Sequence, residues 1–115
     1  MKIGEQFRQG DVFITRVHGT KKVGKDIDPI SNRFPLAFGE VTGHSHSVAV
    51  ADCDWLTEDE GGTLWLKVKE QTPVEHLHNF LAPSGDHGSI TLEPGTYKIN
   101  RQREFRRGDI RQVMD

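Results

Sequence analysis

The fold of this chain follows most clearly from the segment LWLKVKE, residues 64–70, in which apolar side chains recur at every second position. This two-residue period is typical of a β-strand with one buried face. The segment DVFITRV, residues 11–17, is β-branched and alternating, and it predicts a second strand. Working outward, we expect strands at 47–50, 89–92 and 97–105, with a proline-glycine turn at 93–96. Six to eight short strands predict an all-β fold, either a sandwich or a small barrel.

Length and composition predict a single β domain over residues 1–115, in which 18–35 form a long loop rich in Gly, Lys, Asp and Pro. Only 34% of the residues are hydrophobic, and such a lean core favours an added metal or a homodimer. The single cysteine, Cys53, excludes an internal disulfide and suits a reducing cytoplasm. No signal peptide or membrane-spanning run is visible, and a net charge of -2 argues against a general attraction to nucleic acid or membrane.

The segment GHSHSVAV, residues 43–50, carries the candidate functional residues. On a strand, His44 and His46 share a face with Val48 and Val50. Imidazoles on a buried face need hydrogen-bond partners or a metal, and two histidines two positions apart can offer two ligands to one ion. The sequence therefore predicts a metal site, with a structural histidine pair as the simpler alternative.

A third ligand has to come from elsewhere in the chain, and the candidates are His76, His78, His87 and Glu40. Five of the six histidines lie between positions 44 and 87. His76 and His78 share one face of a segment whose secondary structure is ambiguous, whereas strand parity directs His87 away unless Gly88 allows a bend. Spacing alone leans slightly towards His78.

The stretch Gly39-Glu40-Val41-Thr42-Gly43-His44-Ser45-His46 resembles the histidine-bearing motif of cupins, and residues 88–95 are similar to the second cupin motif. Cupins are small β-barrels that hold a metal, so the resemblance implies a cupin-like barrel. The chain also resembles an uncharacterised group of short bacterial and phage proteins, at Gln9-Gly10-Asp11-Val12, at 39–46, at Asp86-His87 and at 101–105. This second resemblance implies a recurrent site in which His87 is the third ligand. The ion would be divalent, such as Zn, Fe, Mn or Ni.

Further polar residues are candidates for contacts around this site. Glu104 can orient a ligand histidine, and Glu40, Gln102 and Arg103 are candidate neighbours or ligand contacts. Arg101 and Arg103 share a strand face with apolar residues, which favours a cross-strand ion pair over an anion site. Acidic neighbours are expected to raise the pKa of the Cys53 thiol and to make it unreactive.

Three functions are compatible with these observations. The first is a metal-binding β-barrel, which would be an enzyme on a small molecule if a coordination position stays open. The second is a bacterial or phage accessory module without catalysis, which binds a protein partner through the 18–35 loop. The third, less favoured, is nucleotide or nucleic-acid binding through the C-terminal arginines, which include Arg101, Arg103, Arg106 and Arg107.

Overall fold

Antiparallel strands make up most of the described part of the chain. The computed structural model describes residues 2–9, 12–19, 21–38, 44–78, 82–83 and 90–101, with the side chains of all of these except 38, 44–45, 76–78 and 82–83. The strands are β1 (Gln6–Gln9), β2 (Val12–Val17), β3 (Lys25–Asp26), β4 (Arg33–Phe38), β5 (His44–Ala49), β6 (Cys53–Glu58), β7 (Leu64–Val68), β8 (Thr72–His78), β9 (Ala82–Pro83), β10 (Ile90–Leu92) and β11 (Gly95–Arg101). One short 3-10 turn, Val50–Asp52, follows β5. Among the described residues there is no helix long and apolar enough to cross a membrane.

The strands form two sheets. The six-stranded sheet has the order β1-β2-β11-β7-β6-β3, and the five-stranded sheet has the order β10-β8-β5-β4, with β9 paired to β8. Within the described ranges no strand pairing closes either sheet into a barrel. The all-β prediction is therefore confirmed, and of its two architectures the two-sheet form is present. The cupin-like barrel implied by the first resemblance is not confirmed.

One hydrophobic core joins the two sheets. The alternation in LWLKVKE is confirmed, since Leu64, Leu66 and Val68 are all buried. They belong to the same buried cluster as Val48 and Val74 of the five-stranded sheet. A cluster that draws on the inward faces of both sheets is the arrangement of a β-sandwich.

The segment predicted as a long loop, 18–35, contains strand structure. Lys25–Asp26 pair with β6, and Arg33 opens β4. The proline content of this segment favours a loop, but β4 lies at the edge of its sheet, where a missing N–H is tolerated. A register shift between Pro35 and Ala37 shows a bulge at the same place.

The chain after the histidine motif differs from the predicted set of strands in two ways. Val50 lies in the 3-10 turn and not on the strand face that ends at Val48. Cys53–Glu58 form β6, a strand that the sequence analysis did not predict. Acidic side chains lie in this segment, and a bulge between Cys53 and Trp55 breaks the alternation of apolar residues. The predicted strands 11–17, 89–92 and 97–105 are confirmed over residues 12–17, 90–92 and 97–101, and the remaining positions of these ranges lie outside the described residues.

Candidate metal site on strands β5 and β8

Strand register brings four histidines to neighbouring positions of one sheet. Strands β5 and β8 are antiparallel, with His44 opposite His78 and His46 opposite His76. We call these four residues the histidine block. Directly opposite positions on antiparallel strands share a face, with Cβ atoms about 4.5–5.5 Å apart. Positions two apart on a strand also share a face, so the register assigns the four positions of the block to one face of the sheet.

That side is the inner face of the sandwich. His46 is buried, with 4% of its surface exposed, and Val48, two positions further along β5, is fully buried. On β8 the position that continues the block towards the core is Val74, which is 1% exposed. The prediction that the histidine pair shares a face with Val48 is thereby confirmed at His46. His46 is thus a buried polar residue next to the apolar side chains of Val48 and Val74 on the core face.

The buried ring of His46 is held by a residue from the other sheet. Its Nδ1 lies 2.8 Å from the Oε1 atom of Gln9, the last residue of β1. The amide nitrogen of Gln9 donates to the carbonyl oxygen of Val74 at 3.1 Å. Because a nitrogen donor faces Val74, the acceptor oxygen of the carboxamide faces His46, and the Nδ1 atom of His46 carries the proton in this bond. A neutral ring with this proton has its lone pair on Nε2, the state that metal coordination through Nε2 requires.

Sequence reasoning missed the role of Gln9. Phe7 and Gln9 occupy alternate positions of β1 and are less exposed than Gln6 and Arg8. The signal in the sequence was therefore a polar residue, Gln9, at a position that faces inward. Contact with His46 bridges 37 positions of sequence, and spacing rules do not reach that far. The residues that were expected to surround the site, Glu40, Gln102, Arg103 and Glu104, lie outside the described residues, as does His87.

Within the block, the side chain of His46 is the one that the structure describes. Among the side chains that the structure describes, no group of three or more His, Cys, Asp or Glu could hold a metal ion. Neither the predicted set, His44, His46 and His87, nor the set completed from β8 is assembled by described side chains. For the choice of metal ligands, the structure provides the register of the four histidines and the hydrogen bond between His46 and Gln9.

The outer face of the same strands carries a polar network that stabilises their register. Arg33 of β4 donates from Nε to the Ser47 hydroxyl at 2.7 Å and from Nη2 to the Ser47 carbonyl at 3.1 Å. The same guanidinium is 3.0 Å from a carboxylate oxygen of Glu75, which lies opposite Ser47 on β8. Arg33 thus links β4, β5 and β8 next to the histidine block, and its contacts stabilise these strands on the outer face of the sheet.

Two predictions about residues away from the block can be compared with the structure. The ion pair is confirmed at Arg101, while Arg103 lies outside the described residues, and the raised pKa of Cys53 is confirmed with burial as its main cause. Arg101 forms an ion pair with Glu58 at 3.5 Å, which is the cross-strand interpretation of an arginine on an apolar face. Burial, and then the neighbouring charges of Asp52 and Asp54, raise the pKa of the Cys53 thiol from 9.0 to about 12. The thiol is therefore protonated at neutral pH and a poor nucleophile.

Comparison with known protein families gives a match over most of the chain. Residues 8–102 match the family described as a domain of unknown function, DUF8820. The chain belongs to the DUF8820 family. The region matched by DUF8820 includes Gln9 and the five histidines from His44 to His87, and it ends before Arg103 and Glu104. No curated protein matches the chain, and no solved structure matches it.

Proposed function

We propose that this DUF8820 protein binds one divalent transition-metal ion on the inner face of β5 and β8. The observation that carries the proposal is the buried His46, whose Nδ1–H is held by Gln9 and whose strand positions adjoin three further histidines. Ligand histidines characteristically donate their second ring N–H to a fixed acceptor, which sets the orientation and tautomer of the ring. Gln9 supplies such an acceptor from within the core.

The donor set favours a borderline metal. Imidazole nitrogens suit Zn, Fe and Ni better than Mg or Ca, which prefer oxygen ligands. His46 and His44 provide two ligands on β5, as the sequence predicts. For the third ligand the register favours His78 or His76, which lie opposite the pair on β8, whereas family resemblance favours His87. In the sequence, His87 lies between Pro83 and Ile90. Pro83 pairs with Leu77 of β8, and Ile90 pairs with Val74 of the same strand.

Catalysis is a further step of the proposal. Three protein ligands leave a coordination position for water or a small substrate, and a bound metal lowers the pKa of such a water. A fourth histidine from the block would close the coordination sphere and favour a structural role. The number of histidine ligands therefore separates a metal-dependent enzyme from a metal-stabilised binding protein.

The test is metal titration of tag-free protein, first stripped with chelator and then titrated separately with Zn²⁺, Ni²⁺, Mn²⁺ and, without oxygen, Fe²⁺. We expect about one equivalent to bind in a saturable manner, and alanine at His44 or His46 to weaken binding by at least the ~10–100-fold typical of disturbed metal sites. Single alanine variants of His76, His78 and His87 then identify the remaining ligands. His18, an exposed histidine after β2, is the matched control, and His18→Ala should bind like wild type.

The proposal fails if the folded wild type binds none of these ions, or if His44→Ala and His46→Ala bind as tightly as His18→Ala. Circular dichroism of every variant separates a lost ligand from a lost fold.

A further inference from the structure

The carboxamide of Gln9 is placed to do more than fill space in the core. Gln9 ends β1 in the six-stranded sheet, yet its carboxamide makes two hydrogen bonds to the five-stranded sheet, one to the ring of His46 and one to the backbone of Val74. Gln9 is 3% exposed, so both bonds are shielded from water. In a buried hydrogen bond, the donor and the acceptor have no water molecule as an alternative partner. Each bond therefore fixes which group donates and which accepts.

We propose that Gln9 is a positioning residue that selects Nε2 as the metal-binding nitrogen of His46. This inference rests on the proposed metal site. The carboxamide oxygen accepts from Nδ1–H, so the ring keeps its proton on Nδ1 and presents the lone pair of Nε2. With Nδ1 engaged, the ring is also fixed in rotation about its Cβ–Cγ bond. Gln9 thereby decides both which nitrogen binds and the direction in which it points.

An amide satisfies both partners of this side chain, whereas a carboxylate satisfies only the N–H of His46. Glutamine presents a donor to the Val74 carbonyl and an acceptor to His46 at the same time. Glutamate would keep the acceptor for His46 but would bring a second oxygen against the Val74 carbonyl. We therefore expect Gln9→Glu to preserve the His46 tautomer while weakening the bond to β8. Gln9→Met, of similar volume, removes the acceptor and the donor together.

A second consequence is coupling between metal binding and sheet packing. The acceptor for His46 comes from one sheet, and the block lies on the other. A metal that favours the Nδ1–H state of His46 also strengthens the hydrogen bond to Gln9, and by linkage the intact bond raises metal affinity. Disturbing this contact should weaken Zn²⁺ binding by about 10–100-fold, the range seen when partners of ligand histidines are removed.

Long-range ¹H–¹⁵N NMR of the imidazole rings tests the assignment with and without Zn²⁺. At about pH 8, where an ordinary histidine is neutral, metal-free wild type should show His46 with its proton on Nδ1. In Gln9→Met the resonances should move towards a mixture of tautomers, and Gln9→Glu should restore the wild-type pattern. Zn²⁺ should shift Nε2 of His46 in the wild type and leave Nδ1 protonated. Gln6→Met is the matched control, because Gln6 is an exposed glutamine on the outer face of the same strand.

The inference is overturned if metal-free wild type carries the proton on Nε2. It is also overturned if Gln9→Met keeps the tautomer and the Zn²⁺ affinity of Gln6→Met, in which case Gln9 acts in packing alone. Absence of Zn²⁺ binding by wild type that has the Nδ1–H tautomer overturns the metal site and leaves Gln9 as a structural partner of His46. The two failures are thus distinguishable in one set of spectra.

Discussion

Replacing Gln9 by methionine tests how firmly the two sheets are held together at the candidate site. The side chain is 3% exposed and makes hydrogen bonds of 2.8 Å to His46 and 3.1 Å to Val74. Methionine has a similar volume, so the change removes these bonds without leaving a large cavity. A net hydrogen bond contributes about 0.5–1.5 kcal/mol, and a buried polar group that loses its partner costs more. For two bonds we expect a loss of about 2–3 kcal/mol in the free energy of unfolding.

Urea denaturation followed by the fluorescence of Trp55 and Trp65 measures this loss. With a urea m-value of about 1–3 kcal/mol/M, the unfolding midpoint of Gln9→Met should fall by roughly 0.7–3 M. Gln6→Met is the matched control, since Gln6 is exposed and its 3.4 Å contact with Thr15 is at the surface. A surface change of this kind is expected within about 0.5 kcal/mol of wild type. Equal midpoints for the two variants, measured without metal, would refute the assignment of a structural bridge at Gln9.

Three other predictions follow from residues outside the histidine block. The thiol of Cys53, buried and with a pKa raised to about 12, should resist iodoacetamide at neutral pH in the folded protein and react once urea unfolds it; labelling of the native protein at the unfolded rate would contradict this. Hydrogen bonds, chiefly from the indole of Trp65, lower the pKa of Asp59 below 3.8, so its ionised form stabilises the fold above that pH, and the contribution disappears as pH falls through the folded-state pKa. The stability difference between wild type and Asp59→Asn should accordingly shrink below about pH 3.8, and a pH-independent difference would argue against it. Gly24 has φ +86° with its would-be Cβ against the Glu58 carbonyl, so Gly24→Ala should cost about 1–3 kcal/mol in chemical denaturation, whereas Gly19→Ala, with open space around it, should change little.

The sequence predicted those strands whose side chains alternate without interruption. In β7, Leu64, Leu66 and Val68 carry the pattern, and all are buried as expected. Strand β6 was not predicted because its bulge shifts the alternation at Trp55 and because acidic residues surround its apolar positions. β4 escaped because Pro35 suggests a loop, and only the sheet order, with β4 at an edge, makes proline acceptable there. Local pattern therefore predicts strands well and fails where tertiary context changes the rule.

The candidate site shows the same division. Strand parity correctly put His46 on the buried face with Val48. Parity also placed His76 and His78 together, but their register against β5 depends on which strands pair, and periodicity does not specify the pairing. The contact between Gln9 and His46 requires the packing of one sheet on the other, so it became visible only in the folded structure. The choice between His78, His76 and His87 as third ligand stays a prediction.

The most direct test of metal binding at His46 is an anomalous-difference map from crystals of the zinc-loaded protein, collected at the zinc absorption edge. We expect one strong peak about 2.0–2.1 Å from Nε2 of His46, with His44 and at least one further histidine around it and with Nδ1 of His46 still bonded to Gln9. A map without a peak at the histidine block, or with zinc bound to Nδ1 of His46, would contradict it.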